Sequence, residues 1–198
     1  LLPASILVIV AIASFLPQNK LDDKFVEYFD ETVPFRAATD FMEDNLSGLS
    51  SIEVSINSRE SSGINDPAFL KTVGDFSEWL RLQSYTDHVN SISDVLKRLN
   101  KNMHGDDPAF YKLPEERELS AQYLLLYEMS LPYGLDLNNQ LNVDKSSTRV
   151  IGTFKNLSSM EQINIEQSMY EWFAKNAPAY QISISSPTLM FAHIGQRN

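Results

Sequence analysis

The first nineteen residues carry no charged side chain; Lys20 is the first. Within Leu1–Leu16 only Pro3, Ser5 and Ser14 fall outside the hydrophobic set, so 13 of 16 positions are apolar. A bilayer-spanning helix needs roughly 20 apolar residues. This run is slightly short, but it begins at residue 1 without an initiator Met. The expectation is a spanning helix truncated on its N-terminal side. A signal-peptide remnant is the alternative, since Ala11-Ile12-Ala13 resembles a cleavage box, but the basic segment that precedes a signal core is missing. A buried core helix fits less well, because no polar side recurs at helical spacing. Pro17-Gln18-Asn19 closes the run, and Lys20-Leu21-Asp22-Asp23 moves into water.

Residues 20–198 hold all of the charge: 16 Lys and Arg against 26 Asp and Glu, a formal net charge of −10. That balance argues against a nucleic-acid binder, which needs a basic face to displace counterions. The hydrophobic fraction of 43% is ordinary for a globular chain and allows a real core in one domain. The chain has no cysteine, which excludes a disulfide frame, a thiolate zinc site and a cysteine nucleophile.

Two segments share one order of elements. In the first, residues 51–92, Ile52, Val54 and Ile56 alternate with Glu53, Ser55 and Asn57, the period of a half-buried strand. Asp66-Pro67 then opens a helix: Asp accepts backbone N–H bonds, and Pro lacks only a donor that has no helical partner there. Phe69, Leu70, Val73, Phe76 and Leu80 form one stripe of that helix, and a weaker strand covers Thr86–Ile92. In the second, residues 148–185, Thr148–Lys155 is rich in β-formers. Ser158 and Glu161 have capping-box spacing before a helix with Met160, Ile163, Met169, Trp172 and Phe173. Tyr180, Ile182 and Ile184 alternate with polar residues in a last strand.

Two successive strand–helix–strand units predict an α+β fold, a ferredoxin-like split βαβ sheet with both long helices on one face. Residues 93–147 read as a helical insertion, with helices near Asp94–Leu99 and Glu115–Leu131. The run Tyr123–Tyr127 is apolar around enough of the helix to imply contact on more than one side. Ahead of the first unit, Asp22/Asp23 precede a short helix with Phe25, Val26, Tyr28 and Phe29. Pro34 opens an amphipathic helix with Phe35, Ala38, Phe41, Met42 and Leu46, ended by Ser47-Gly48. The echo between Asn65–Lys71 and Asp106–Lys112 is explained by Asp-Pro as a common helix opener.

Catalytic signatures are absent. His88, His104 and His193 have no zinc spacing. The seven glycines form no phosphate loop and no nucleophile elbow. Asp136, Asn138, Gln140 and Asp144 suggest a calcium loop, but Leu141 stands where the loop needs Gly and Ser147 where it needs Glu. The pairs Asp22/Asp23, Asp106/Asp107 and Glu115/Glu116 are sequence neighbours and fit capping and solvation better than facing each other across a substrate. The aromatic residues Phe25, Tyr28, Phe29, Phe35 and Phe41 read as core. Their functional alternative is a groove for a hydrophobic ligand, with Phe35 and Phe41 as candidate substrate-binding residues. No metal ligand, cofactor or catalytic residue is assigned.

Several stretches together carry a family resemblance. Phe25–Asp30 runs on to Pro34–Phe41; Leu96–His104 and Gln122–Glu128 follow, then Ser130–Leu137 and Met190–Asn198. In this order they resemble the second extracytoplasmic loop of bacterial exporters of the resistance–nodulation–division superfamily. The nearest branch is the hydrophobe or lipid exporters related to mycobacterial large membrane proteins and Patched-type proteins. The resemblance covers nearly the whole chain.

It implies that Leu1–Leu16 is the outer part of a transmembrane helix, that residues 20–198 form a porter domain, and that 186–198 lead back to the membrane. It implies the periplasmic side of a bacterial inner membrane and no enzymatic activity. The implied partners are a hydrophobic or lipid-like substrate, the rest of the transporter chain and the membrane, with a homo-oligomer allowed. Proton-carrying carboxylates of such exporters lie in membrane helices outside this sequence. The competing expectation is a docking module of a membrane complex, using Tyr123–Tyr127 without touching substrate.

Overall fold

The computed structural model describes residues 2–15, 24–132 and 137–197. Helix α1 (Leu2–Ala13) is followed by a single 3-10 turn at Phe25–Tyr28 and by α2 (Pro34–Asn45). Then come β1 (Ser50–Asn57), α3 (Pro67–Arg81) and β2 (Thr86–Asn90). The insertion contributes α4 (Ile92–Met103) and α5 (Arg117–Ser130). The chain finishes with β3 (Ser147–Phe154), α6 (Ser159–Asn176), β4 (Gln181–Ser185) and α7 (Pro187–Arg197).

The fold is α+β around one four-stranded antiparallel sheet of order β2-β3-β1-β4. Local chemistry starts the two long helices. Asp66 Oδ1 accepts from the Ala68 and Phe69 amides at 2.8 and 3.0 Å, with Pro67 in the first turn. Ser158 and Glu161 form the reciprocal capping box, Glu161 Oε2 accepting from the Ser158 amide at 2.9 Å. Asp107 likewise caps the Pro108–Phe110 turn through the Ala109 amide, so the sequence echo is two uses of one helix opener.

Alternation then decides which side of the sheet is covered. Ile52, Val54, Ile56, Val150 and Phe154 are buried on one face, while Ser55, Gln181 and Ser183 on the other are exposed. Gly152 faces α3: a Cβ there would lie 3.1 Å from Leu80 Cδ2. The Phe76 ring of α3 sits 4.6 Å from Phe173 and 5.3 Å from Trp172 of α6, and Trp79 lies 6.1 Å from Trp172. Apolar burial at about 25 cal/mol per Å² makes this interlayer the main source of stability.

The insertion packs on α3 rather than forming strands. Ser93 of α4 lies beside Gly74 of α3, where a Cβ would meet the Ser93 Cβ at 3.8 Å, an ordinary van der Waals contact. Buried Asn100 joins the segment together: its amide donates to the Lys112 carbonyl at 3.0 Å, and its oxygen accepts from the Tyr123 hydroxyl at 3.1 Å. One expectation changes here. Strand β2 stops at Asn90, because the Ser91 hydroxyl caps α4, so Ile92 opens a helix. On α5, Tyr123 and Leu124 are buried among the described residues, and Leu125, Leu126 and Met129 are exposed, a side that the expected contact with a neighbouring domain would cover.

Tyr85 lies 5.9 Å from Phe154 and Tyr180 lies 5.1 Å from Phe69. Burial pushes both phenols above their ordinary pKa of 10.0, helped at Tyr180 by Asp66 against a hydrogen bond with Thr72. Above that value the unfolded chain releases protons that the folded chain retains, so stability falls as pH rises. The expected result is a melting temperature that falls as pH rises above about 10, less steeply in Tyr85→Phe.

Candidate functional site

Helix α2 has its faces reversed relative to an ordinary surface helix. At 3.6 residues per turn, Phe35, Ala38, Phe41, Met42 and Leu46 share an arc of about 140°. That arc is exposed: Phe35 is 49%, Phe41 61% and Leu46 73% accessible. The covered side is polar. Thr39 is the one buried residue of α2, its hydroxyl donating back to the Phe35 carbonyl at 2.8 Å. Arg36 Nε donates to both carboxylate oxygens of Asp40 at 2.8 Å, and its Nη1 reaches the Val26 carbonyl at 3.4 Å. The hydrogen bond to Asp40 raises the pKa of the Arg36 guanidinium further above its ordinary value. Glu43 Oε1 accepts from the Asn156 amide at 2.8 Å, joining α2 to the segment that follows β3.

Gly48 sets the exit from α2. Its amide donates to Asp87 Oδ2 at 2.7 Å, and a Cβ on it would lie 1.7 Å from the Phe154 carbonyl oxygen. The start of β1 is thereby pressed against the end of β3, where Ser50 pairs with Phe154. In the β1–β4 pair Glu53 faces Ser185, so the end of β4 lies beside the beginning of β1. Helix α7 follows β4 from this same end of the sheet. It packs on α6 through buried Leu189 and Ala192 and through His193 Nε2, 2.6 Å from Glu166 Oε2. Its other side exposes Met190, Phe191 and Ile194.

The entry to β1 and the exit from β4 therefore lie together, and each connects to a helix that shows apolar side chains outward. Ahead of α2 along the chain, α1 exposes Ile6, Ile9, Val10 and Ile12, with Phe15 exposed just beyond it. No helix among the described residues is long and apolar enough to cross a membrane.

The expectation that the N-terminal aromatics are core is overturned at Tyr28, Phe29, Phe35 and Phe41, which are all exposed, while the Phe25 side chain lies outside those described; α2 meets the segment after β3 through Glu43 instead. Phe29 and Phe35 make an edge-to-face pair at 5.1 Å, while Phe41 belongs to the same outward stripe. Met42 and Leu46, which the helical spacing also marks, extend that stripe, as does Leu49 beyond the helix in sequence. The 187–197 stretch, expected as a return linker, is helical. Ser186-Pro187 followed by Leu189 and Ala192 three apart was the available signal.

The other candidates do not converge. His88 is exposed, His104 stacks on Phe110 at 3.7 Å, and His193 pairs with Glu166. Among the described residues no group of three or more His, Asp and Glu could hold a metal ion. Asp136 lies outside the described residues, and Asp144 Oδ1 accepts locally from the Ser146 hydroxyl at 2.9 Å. Asp22 and Asp23 also lie outside them; Glu115 is paired with Lys112 at 2.9 Å. An open recess of about 250 Å³ lies between Glu128, Leu137, Leu141, Val143 and Lys145, but its two charges neutralise each other at 2.7 Å. Compared with known proteins, the chain matches no family model and no curated sequence.

Proposed function

We propose that this chain is an extracytoplasmic domain of a proton-driven exporter of the resistance–nodulation–division type, which captures or guides a hydrophobic or lipid-like substrate on the periplasmic side of a bacterial inner membrane. The observation that carries the reading is the reversed α2 and the outward apolar face of α7, each connected to the same end of the sheet, where the chain enters and leaves it. Such an end is suited to face a hydrocarbon phase rather than water. Support also comes from the strand order: β3 lies between β1 and β2, and α3 and α6 share one face, as in a ferredoxin-like split βαβ porter subdomain carrying a helical insertion. In this reading the chain supplies no proton-carrying group. It supplies a rigid sheet layer that holds an apolar helix where a lipid-like molecule leaves the leaflet.

The test is transport by the full-length protein in proteoliposomes with an imposed pH gradient, using a fluorescent phospholipid analogue. Phe35→Asp places a charge in the exposed stripe and is expected to abolish export at unchanged protein level, because a carboxylate is costly in an apolar contact. Wild-type export by the variant removes α2 from the mechanism. A docking module is the second reading, favoured by the exposed Leu125, Leu126 and Met129 of α5. Photocrosslinking from Met129 separates them: capture of a different subunit supports docking, and contacts within the same chain support the porter.

A further inference from the structure

Resting on the transporter reading above, we infer that α2 is a membrane-surface helix, with its Phe35, Phe41, Met42 and Leu46 stripe seated in the headgroup–acyl boundary of a zwitterionic bilayer. The opposite side, Thr39, Arg36–Asp40 and Glu43, holds the domain above that surface. Three observations select lipid as the occupant. First, the side of α2 that packs on its own chain is the polar one, so the apolar side is left for something outside the sheet layer. Second, the preceding helix α1 is uncharged and exposes Ile6, Ile9, Val10 and Ile12, a pattern suited to hydrocarbon, and α2 is the next α-helix along the chain. Third, the charge of α2 argues for a particular surface. Asp40, Glu43 and Asp44 outnumber Arg36, so attraction to anionic lipid does not drive the contact and apolar burial must. The aromatic content of the stripe, Phe35 and Phe41 with Phe29 beside them, suits the interfacial level of a bilayer.

The experiment uses the full-length protein in phosphatidylcholine nanodiscs, with single nitroxide labels at Met42→Cys, Asp44→Cys and Ile9→Cys. None of these replaces a buried residue, and the fluorescence of Trp79 and Trp172 verifies the fold. Collision rates with oxygen, which concentrates in lipid, and with a water-soluble nickel chelate are measured at each label. The expected result is an inversion between neighbours: oxygen exceeds nickel at 42 and nickel exceeds oxygen at 44. Leu46→Cys repeats the reading at 42. If nickel dominates at 42 and 46 while the label at Ile9 still reports lipid, the surface-helix inference is overturned and the transporter reading stands. If Ile9 also reports water, both are overturned. Low rates for both reagents at 42, with dipolar broadening between labels, overturn lipid in favour of a second copy of the chain.

Discussion

Replacing Phe76 by alanine is expected to lower stability by about 3–5 kcal/mol, the cost of deleting a buried aromatic side chain and leaving a cavity. Phe76 is fully buried, with its ring within 6 Å of Trp79, Trp172 and Phe173, so it joins α3 to α6 above the sheet. The surrounding rings are rigid and cannot collapse into the space, which places the loss toward the upper end of that range. Chemical denaturation measures it. The optical signal is favourable, because the chain's two tryptophans, Trp79 and Trp172, are both part of this cluster. Phe76→Leu, which keeps most of the volume, is expected to lose clearly less. Equal losses in the two variants would mean that packing of the ring is not what holds the two helices together.

Gly48→Ala is the second large effect, and it acts through the backbone. The added methyl would sit 1.7 Å from the Phe154 carbonyl oxygen and 2.3 Å from its carbon, positions that no rotamer change relieves. Either the Ser50–Phe154 pairing opens or the chain between α2 and β1 is displaced. The expected cost is about 3 kcal/mol, the high end for overpacking, since main chain rather than a flexible side chain must move. Amide hydrogen exchange distinguishes this from a global loss: protection should fall first at the start of β1 and the end of β3 and remain in α3 and α6. Unchanged protection and stability would contradict the close approach.

The periodicities and caps were legible in the sequence because they are local. The alternation of Ile52, Val54 and Ile56, the Asp66-Pro67 opener and the Ser158–Glu161 box each act within a few residues, and each element formed where those signals stand. Stripe direction is different. Phe35, Ala38, Phe41, Met42 and Leu46 announce an amphipathic helix, but their spacing is the same whether the stripe faces a core or the outside. What turns it outward is a set of long-range polar contacts, Glu43 to Asn156 and Gly48 to Asp87, that bridge 113 and 39 positions of sequence. Helix α7 carries the local signals of a helix, Pro187 at its start with Leu189 and Ala192 on its buried face, inside a stretch that the resemblance assigns to a connection.

The central claim is that the α2–α7 end of the domain faces a membrane while the opposite end projects into the extracytoplasmic space. Ser61, in the exposed turn after β1, marks the far end, and Ile9 marks the apolar leader. The most direct measurement is labelling of Ser61→Cys and Ile9→Cys in the full-length protein by a membrane-impermeant maleimide on intact spheroplasts. The account predicts that Ser61→Cys reacts at once and that Ile9→Cys reacts only after detergent dissolves the membrane. Protection of Ser61→Cys until the cells are lysed, or equal reaction of both sites on intact spheroplasts, would contradict it.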